Sequence, residues 1–205
     1  MQKKYKKTII FDMDGTLYQF KDGGIKGSGI YTVVVENTIL YISKQLNKTS
    51  PEAQAMFDLI LKKYGNSFSI GLEKEFKIER YGYFNFTWNI DPANYIKFDQ
   101  NTQSLLLNTK NNFNMVLLSD APRMWVNKVL KQLGVEEIFE GRIFTGEGNV
   151  RKEFGNAFEN VVETLHLDPK ECISIGDQES TDIILSKKIG MKTVHICKNK
   201  SDFAD

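Results

Sequence analysis

Two aspartates, Asp12 and Asp14, directly follow the apolar segment of residues 8–11 and precede Gly15 and Thr16. The β-branched segment predicts a buried strand, so both carboxylates are expected at its carboxyl end. Two like charges at the edge of a low-dielectric sheet are costly unless a cation, a proton or hydrogen-bond donors compensate them. Asp12 and Asp14 are therefore the leading candidates for chemistry, with a strand followed by a plain Asp-Gly turn as the structural alternative.

Two later segments repeat this pattern of an apolar strand that ends in small and acidic residues. Residues 115–118 lead into Ser119 and Asp120, and residues 172–175 lead into Gly176 and Asp177. Open parallel sheets bind ligands in the crevice at the carboxyl ends of their strands. The three strand ends are therefore expected to converge on one site.

The elements that would position this site alternate between strand and helix in the second half of the chain. Such alternation implies right-handed crossovers and a doubly wound parallel α/β sheet. Further strands are predicted at 192–196 and within 138–146, and helices at about 102–109, 122–134, 154–167 and 181–189.

An insert of different character separates the first strand from this alternating region. A Gly-rich connector at residues 21–29 precedes helices predicted at 30–46, at 50–64 with Ser50 as its cap, and at 72–81. The aromatic cluster at residues 81–88 fits either a small helical core or a stacking wall for a nucleobase. We expect residues 1–18 and 98–205 to form the core and residues 19–97 a helical insert.

Composition limits the possible partners. The 205 residues carry a net charge of +1, which gives no general attraction to a nucleic acid polymer or an anionic membrane. No apolar stretch approaches the roughly 20 residues that span a bilayer. Two cysteines without metal-like spacing, and no recognisable export signal, favour a cytoplasmic protein.

Four segments, taken together, resemble the ordered motifs of the haloacid dehalogenase superfamily. They are residues 12–16, Ser119 after an apolar strand, Lys152 ahead of a helix, and residues 176–182. The resemblance covers the core from end to end and implies a Rossmann-like sheet of strand order 3-2-1-4-5. Because the insert lies between the first and second motifs, it implies a helical cap that closes over the substrate.

The resemblance also implies roles for the acidic residues. Asp12 would attack phosphorus to form an aspartyl phosphate, and Asp14 would act as general acid and then as general base. A Mg²⁺ ion would be held by Asp12, by the backbone carbonyl of Asp14 and by Asp177. Asp182 would be an indirect, water-mediated partner of the ion.

The phosphoryl oxygens would be bound by hydroxyl, ammonium and backbone N–H donors. The resemblance assigns these roles to Thr16, Ser119 and Lys152, with backbone N–H groups near Met13 and Asp120. Arg151, next to Lys152, is the alternative cation.

The sequence departs from the family pattern at two positions. Glu153 follows Lys152 where proline is usual, and Asp120 follows Ser119 where asparagine is more common. An extra carboxylate beside the phosphate pocket would repel a dianion unless it points away or pairs with a cation.

A second resemblance, to the pyrimidine 5′-nucleotidase branch of this superfamily, rests on residues 11–18, 63–65 and 71–72. It implies a Mg²⁺-dependent phosphomonoesterase acting on a nucleoside 5′-monophosphate, as a monomer or homodimer. A sugar-phosphate phosphatase or phosphomutase with the same core is the first alternative. A non-catalytic scaffold that binds phosphate ligands is the second.

Overall fold

The computed structural model describes residues 6–20, 25, 27–97, 99–197 and 204, apart from the side chain of Asn66. The chain divides into two compact units. The sheet unit combines Met1–Lys21 with Pro92–Asp205, and the helical unit is Asp22–Asp91.

The sheet unit is built on five parallel strands in the order β3-β2-β1-β4-β5, which confirms the predicted sheet. Strand β1 is central, and all four of its residues are buried, as its continuous apolar sequence requires. The strands are β1 (Thr8–Phe11), β2 (Asn114–Ser119), β3 (Ile143–Thr145), β4 (Cys172–Gly176) and β5 (Lys192–His195).

Strand register brings the carboxyl ends of β1, β2 and β4 together. Phe11 pairs with Leu117 of β2 on one side and with Ile175 of β4 on the other. The backbone N–H of Asp12 donates to the carbonyl of Ile175 at 2.9 Å, which extends the pairing by one residue. The residues that follow these three strands therefore share one edge of the sheet.

Within its described residues, the helical unit contains four α-helices around its own apolar cluster. Thr49, rather than the predicted Ser50, caps the second helix, because its N–H and hydroxyl both contact the Glu52 carboxylate at 2.8 Å. The helices are α1 (Ile30–Leu46), α2 (Ser50–Tyr64), α3 (Phe68–Phe76) and α4 (Arg80–Thr87).

The single helix predicted over residues 72–81 is wrong. The chain leaves α3 at Lys77, whose φ is +59°, and α4 begins after Glu79, whose carboxylate accepts the N–H groups of Tyr81 and Gly82. Of the aromatic cluster, Tyr83 and Phe84 are buried in the core of the helical unit, whereas Tyr81 is exposed.

Helices of the sheet unit connect its strands. The helix predicted from residue 154 begins instead at Ala157, because Lys152–Phe154 form a separate 3₁₀ turn that ends at Gly155. A π-helical turn at Glu179–Ile183 precedes the last helix. The helices are α5 (Gln100–Lys110), α6 (Arg123–Leu133), α7 (Ala157–Leu165) and α8 (Ile184–Lys188). None of the helices in the described ranges is both long enough and apolar enough to cross a membrane.

Candidate active site

A buried lysine joins two buried aspartates at the carboxyl edge of the sheet. Lys152 Nζ lies 2.6 Å from Oδ1 of Asp12 and 2.6 Å from Oδ1 of Asp182. All three residues are at most 6% exposed. Burial alone would lower the pKa of Lys152, but the two carboxylates raise it well above its usual value. The site therefore holds a permanent positive charge between two acids.

Asp120 holds the backbone that carries this lysine. Its Oδ1 accepts the backbone N–H of Lys152 at 2.8 Å, and its Oδ2 accepts that of Glu153 at 3.3 Å. Arg151, the alternative cation, pairs with the Glu153 carboxylate at 2.9 Å. The extra carboxylate that the sequence places beside the phosphate pocket is thus occupied by backbone donors.

Three side chains in the described part of the chain donate hydrogen bonds to Asp14. The indole Nε1 of Trp125 donates to its Oδ1 at 3.0 Å, the Tyr18 hydroxyl donates to the same oxygen, and Ser119 Oγ donates to its Oδ2 at 3.3 Å. Burial and the neighbouring charge of Asp12 raise the pKa of Asp14, and the contacts with Tyr18 and Trp125 only partly oppose this rise. Asp14 is therefore better suited than an ordinary aspartate to hold a proton.

Sequence reasoning missed Tyr18 and Trp125 as site residues. Trp125 lies within the helix predicted at residues 122–134, and it is 1% exposed. A buried indole N–H normally needs an acceptor, which is the signal that could have pointed to a polar partner. Nothing in the sequence names Asp14 as that partner.

An acidic cluster at the strand ends has the composition of a site for a hard cation. Asp12, Asp177 and Asp182 each offer one carboxylate oxygen, and these three atoms lie within 4.8 Å of one another. Oδ2 of Asp12 and Oδ1 of Asp177 are buried and accept no hydrogen bond from the described residues. Two buried carboxylate oxygens without donors fit an oxygen-liganded divalent cation such as Mg²⁺.

Asp182 differs from the other two members of this cluster. Its Oδ1 accepts from Lys152, and its Oδ2 accepts the backbone N–H of Gln178 at 3.0 Å. Both oxygens thus already have protein partners. Burial raises the pKa of Asp182, which is consistent with an acid that depends on Lys152 for its charge.

Asp177 is held by close packing and by a histidine. Gly15 has a φ of +93°, and a Cβ at that position would lie 2.2 Å from Oδ2 of Asp177. His195 Nε2 lies 2.9 Å from the backbone carbonyl of Asp177, a contact that sequence reasoning did not anticipate. Burial, followed by the charges of Asp12 and Asp182, raises the pKa of Asp177 to about 6.

Thr16 lies in the turn after β1, where its N–H donates to the carbonyl of Met13 at 3.2 Å. Its hydroxyl oxygen is buried and has no hydrogen-bond partner in the described part of the chain. Such a buried hydroxyl, in the turn that follows Asp12 and Asp14, is available to a bound ligand.

Comparison with known proteins identifies the family. The sequence profile described as "haloacid dehalogenase-like hydrolase" matches residues 6–190. The protein is thus an α/β hydrolase with an aspartate-lined site at the sheet edge, and it belongs to the haloacid dehalogenase-like hydrolases.

Two curated relatives match parts of the chain. N-acylneuraminate-9-phosphatase of Rattus norvegicus is 22% identical over 115 residues, which cover 56% of this chain and 46% of the relative. Glyceraldehyde 3-phosphate phosphatase of Pyrococcus abyssi is 31% identical over 72 residues, which cover 35% of this chain and 29% of the relative. The chain thus matches less than half the length of either relative.

Solved structures share the fold over nearly the whole chain. A HAD phosphatase from Thermococcus onnurineus is 20% identical with a TM-score of 0.62, and the match covers 97% of this chain and 91% of that one. A HAD family enzyme from Bacteroides thetaiotaomicron, in complex with magnesium and inorganic phosphate, is 17% identical with a TM-score of 0.58, and the match covers 96% and 97%. These similarities support the fold.

Proposed function

We propose that this protein is a Mg²⁺-dependent phosphomonoesterase that works through an aspartyl phosphate on Asp12. The observation that carries the proposal is the contrast between two neighbouring aspartates. Asp12 is ion-paired with Lys152 at 2.6 Å, whereas burial raises the pKa of Asp14. Two carboxyl groups in such different environments suit the separate roles of nucleophile and proton donor.

In the first step, a carboxylate oxygen of Asp12 attacks phosphorus and the ester P–O bond breaks. Asp14 gives its proton to the departing alkoxide, so the leaving group departs as a neutral alcohol. In the second step, Asp14, now ionised, takes a proton from a water molecule. That water attacks phosphorus, the bond to Asp12 breaks, and inorganic phosphate leaves.

Donors around the two aspartates would hold the phosphoryl oxygens. We assign this role to Thr16, Ser119 and Lys152, with backbone N–H groups near Met13 and Asp120. The Thr16 hydroxyl is buried and has no hydrogen-bond partner among the described residues, and the ammonium group of Lys152 contacts Asp12 itself. Both features support binding of a phosphoryl anion next to the nucleophile.

We further propose that Mg²⁺ is held by Asp12, Asp177 and the backbone carbonyl of Asp14, with Asp182 as an indirect partner. Oδ2 of Asp12 and Oδ1 of Asp177 support this set, because neither accepts a hydrogen bond from the residues that the structure describes. The protein contacts of both Asp182 oxygens support it as well. The ion, when bound, would neutralise charge on the phosphoryl group and align it with the nucleophile.

For the substrate we propose a nucleoside 5′-monophosphate, selected by residues 19–97 acting as a cap. The similarity of residues 11–18, 63–65 and 71–72 to the pyrimidine 5′-nucleotidase branch supports this choice. The two curated relatives are named as phosphatases of N-acylneuraminate-9-phosphate and glyceraldehyde 3-phosphate, which supports a phosphatase of sugar phosphates as the second candidate.

The test is phosphate release across a panel of nucleoside 5′-monophosphates and sugar phosphates with Mg²⁺ present. Asp12→Asn should lower turnover by at least about a thousandfold, because the amide is a far weaker nucleophile. The matched control is Asp168→Asn, since Asp168 is exposed and precedes β4, at the opposite edge of the sheet. Wild-type turnover in Asp12→Asn would show that Asp12 is not the nucleophile. Formation of an isomeric ester in place of inorganic phosphate would identify a mutase, and binding without turnover would identify a scaffold.

A further inference from the structure

The side chain of Asp120 is hydrogen-bonded to the backbone of Lys152 and Glu153. The Asp120 carboxylate accepts the N–H of Lys152 at 2.8 Å through Oδ1 and the N–H of Glu153 at 3.3 Å through Oδ2. The backbone of Asp120 packs closely against Gly146, because a Cβ on Gly146 would lie 2.2 Å from the Asp120 carbonyl oxygen. Asp120 therefore joins the end of β2 to the turn that carries Lys152.

This contact needs both of the residues at which the sequence departs from the family pattern. An asparagine at position 120 offers one acceptor oxygen, and its amide NH₂ would face the second N–H as donor against donor. A proline at position 153 has no N–H to donate. The two-pronged contact can form only when an aspartate and a non-proline residue occur together.

We propose that Asp120 and the N–H of Glu153 form a positioning pair that fixes Lys152 against Asp12. The Asp120 carboxylate holds the backbone of Lys152, and the side chain of that residue bridges Asp12 and Asp182 at 2.6 Å. Two further contacts stabilise the same turn: Arg151 pairs with the Glu153 carboxylate at 2.9 Å, and its guanidinium carbon lies 5.6 Å from the centre of the Phe154 ring. The catalytic consequence rests on the proposed function, because it requires Lys152 to stabilise the phosphoryl group.

The test is a double-mutant cycle on the full chain with Asp120→Asn, Glu153→Pro and the double variant. Each single change removes the second hydrogen bond and should lower kcat about tenfold, with a smaller effect on KM, because the loosened lysine fails mainly in the transition state. The double variant should also lose about tenfold rather than about a hundredfold, since the second change removes nothing further from the shared bond.

Glu153→Ala is the matched comparison, because it removes the carboxylate but keeps the N–H. It should lower kcat much less than Glu153→Pro. The proposal would be overturned by equal losses of kcat in these two variants or by additive losses of kcat in the double-mutant cycle. A wild-type kcat in Asp120→Asn would overturn it as well.

A readout without catalysis separates this proposal from the phosphatase assignment. Crystal structures of wild type and Asp120→Asn should show the distance from Lys152 Nζ to Asp12 Oδ1 lengthen from 2.6 Å to beyond about 3.5 Å. This comparison also decides the matter if Glu153→Pro does not fold. An unchanged distance refutes the positioning pair and does not affect the proposed phosphatase function. A lengthened distance, in a protein that hydrolyses no phosphate ester, supports the positioning pair and refutes the proposed function.

Discussion

The indole N–H of Trp125 donates a hydrogen bond to Oδ1 of Asp14 at 3.0 Å. Trp125 lies on α6 and Asp14 follows β1, so the contact links the second strand–helix unit of the sheet to the proposed proton donor. The Tyr18 hydroxyl donates to the same oxygen. These donors favour the ionised form of Asp14, against burial and the charge of Asp12, which raise its pKa.

The first prediction concerns the removal of the indole donor. In Trp125→Phe the pKa of Asp14 should rise further, because one hydrogen bond to its ionised form is lost. Formation of the aspartyl phosphate needs the proton on Asp14, so kcat/KM falls as pH rises through that pKa. The alkaline limb of kcat/KM should therefore move to higher pH, and looser placement of the acid should lower kcat by about tenfold.

A pH profile of kcat/KM for wild type, Trp125→Phe and Tyr18→Phe checks this prediction. Tyr18→Phe should shift the limb in the same direction, because the Tyr18 hydroxyl donates to the same oxygen. A limb that stays in place in both variants would mean that the proton donor is another group.

The second prediction concerns the buried ammonium. Lys152→Met should destabilise the fold by about 3–5 kcal/mol at neutral pH, because Asp12 and Asp182 would then be buried without their cation. Part of this loss should be recovered as the pH is lowered, because burial raises the pKa of Asp182 and its protonation removes one of the two buried negative charges. Denaturant unfolding at two pH values measures both effects. Lys62→Met, at an exposed lysine of α2, should change stability by less than about 0.5 kcal/mol at either pH. An equal loss in the two variants would show that burial between Asp12 and Asp182 is not the cause.

Much of the sheet and the presence of the acidic site follow from local sequence pattern. The apolar segments before Asp12, Ser119 and Asp177 identify the strands, and parallel topology brings their carboxyl ends together. This information is local and periodic. The strands and the acidic site can therefore be predicted without knowledge of how the helices pack.

Other features of the site depend on tertiary contacts that no local pattern contains. Trp125 is separated from Asp14 by 111 residues, and its position within a predicted helix does not indicate a contact with that aspartate. The effect of Asp120 depends on which groups face its carboxylate. The sequence left open whether it repels phosphate, points away or pairs with a cation, and did not indicate the backbone N–H donors that it binds. The break at Lys77 was missed because a left-handed lysine has no compositional signal, whereas a glycine there would have one.

The third prediction concerns the close approach at Gly15. Gly15→Ala strains the backbone, because alanine rarely adopts a φ of +93°. It also places a Cβ 2.2 Å from Oδ2 of Asp177, so the carboxylate must move. Gly141→Ala is the matched control, because its φ is +73° and a Cβ there would have nothing within 4 Å. Both variants should lose about 1–2 kcal/mol of stability from backbone strain. Only Gly15→Ala should also lose activity, by at least about a hundredfold, and comparable activity in the two variants would show that the position of Asp177 is unimportant.

The fourth prediction concerns Asp177, whose pKa is raised to about 6 from about 3.9 in an unfolded chain. Between these values the folded state binds more protons than the unfolded state, so this group lowers stability as pH rises through that window. Mg²⁺ needs the ionised carboxylate and should stabilise the protein more at pH 7.5 than at pH 5. At an Mg²⁺ concentration about a hundredfold above Kd, the gain at pH 7.5 should be about 2.7 kcal/mol, or a rise in Tm of about 5–10 °C. Thermal unfolding with and without Mg²⁺ measures this gain, which Asp177→Asn should lose and Asp168→Asn should keep. A gain that is equal at both pH values, or that persists in Asp177→Asn, would remove Asp177 from the metal site.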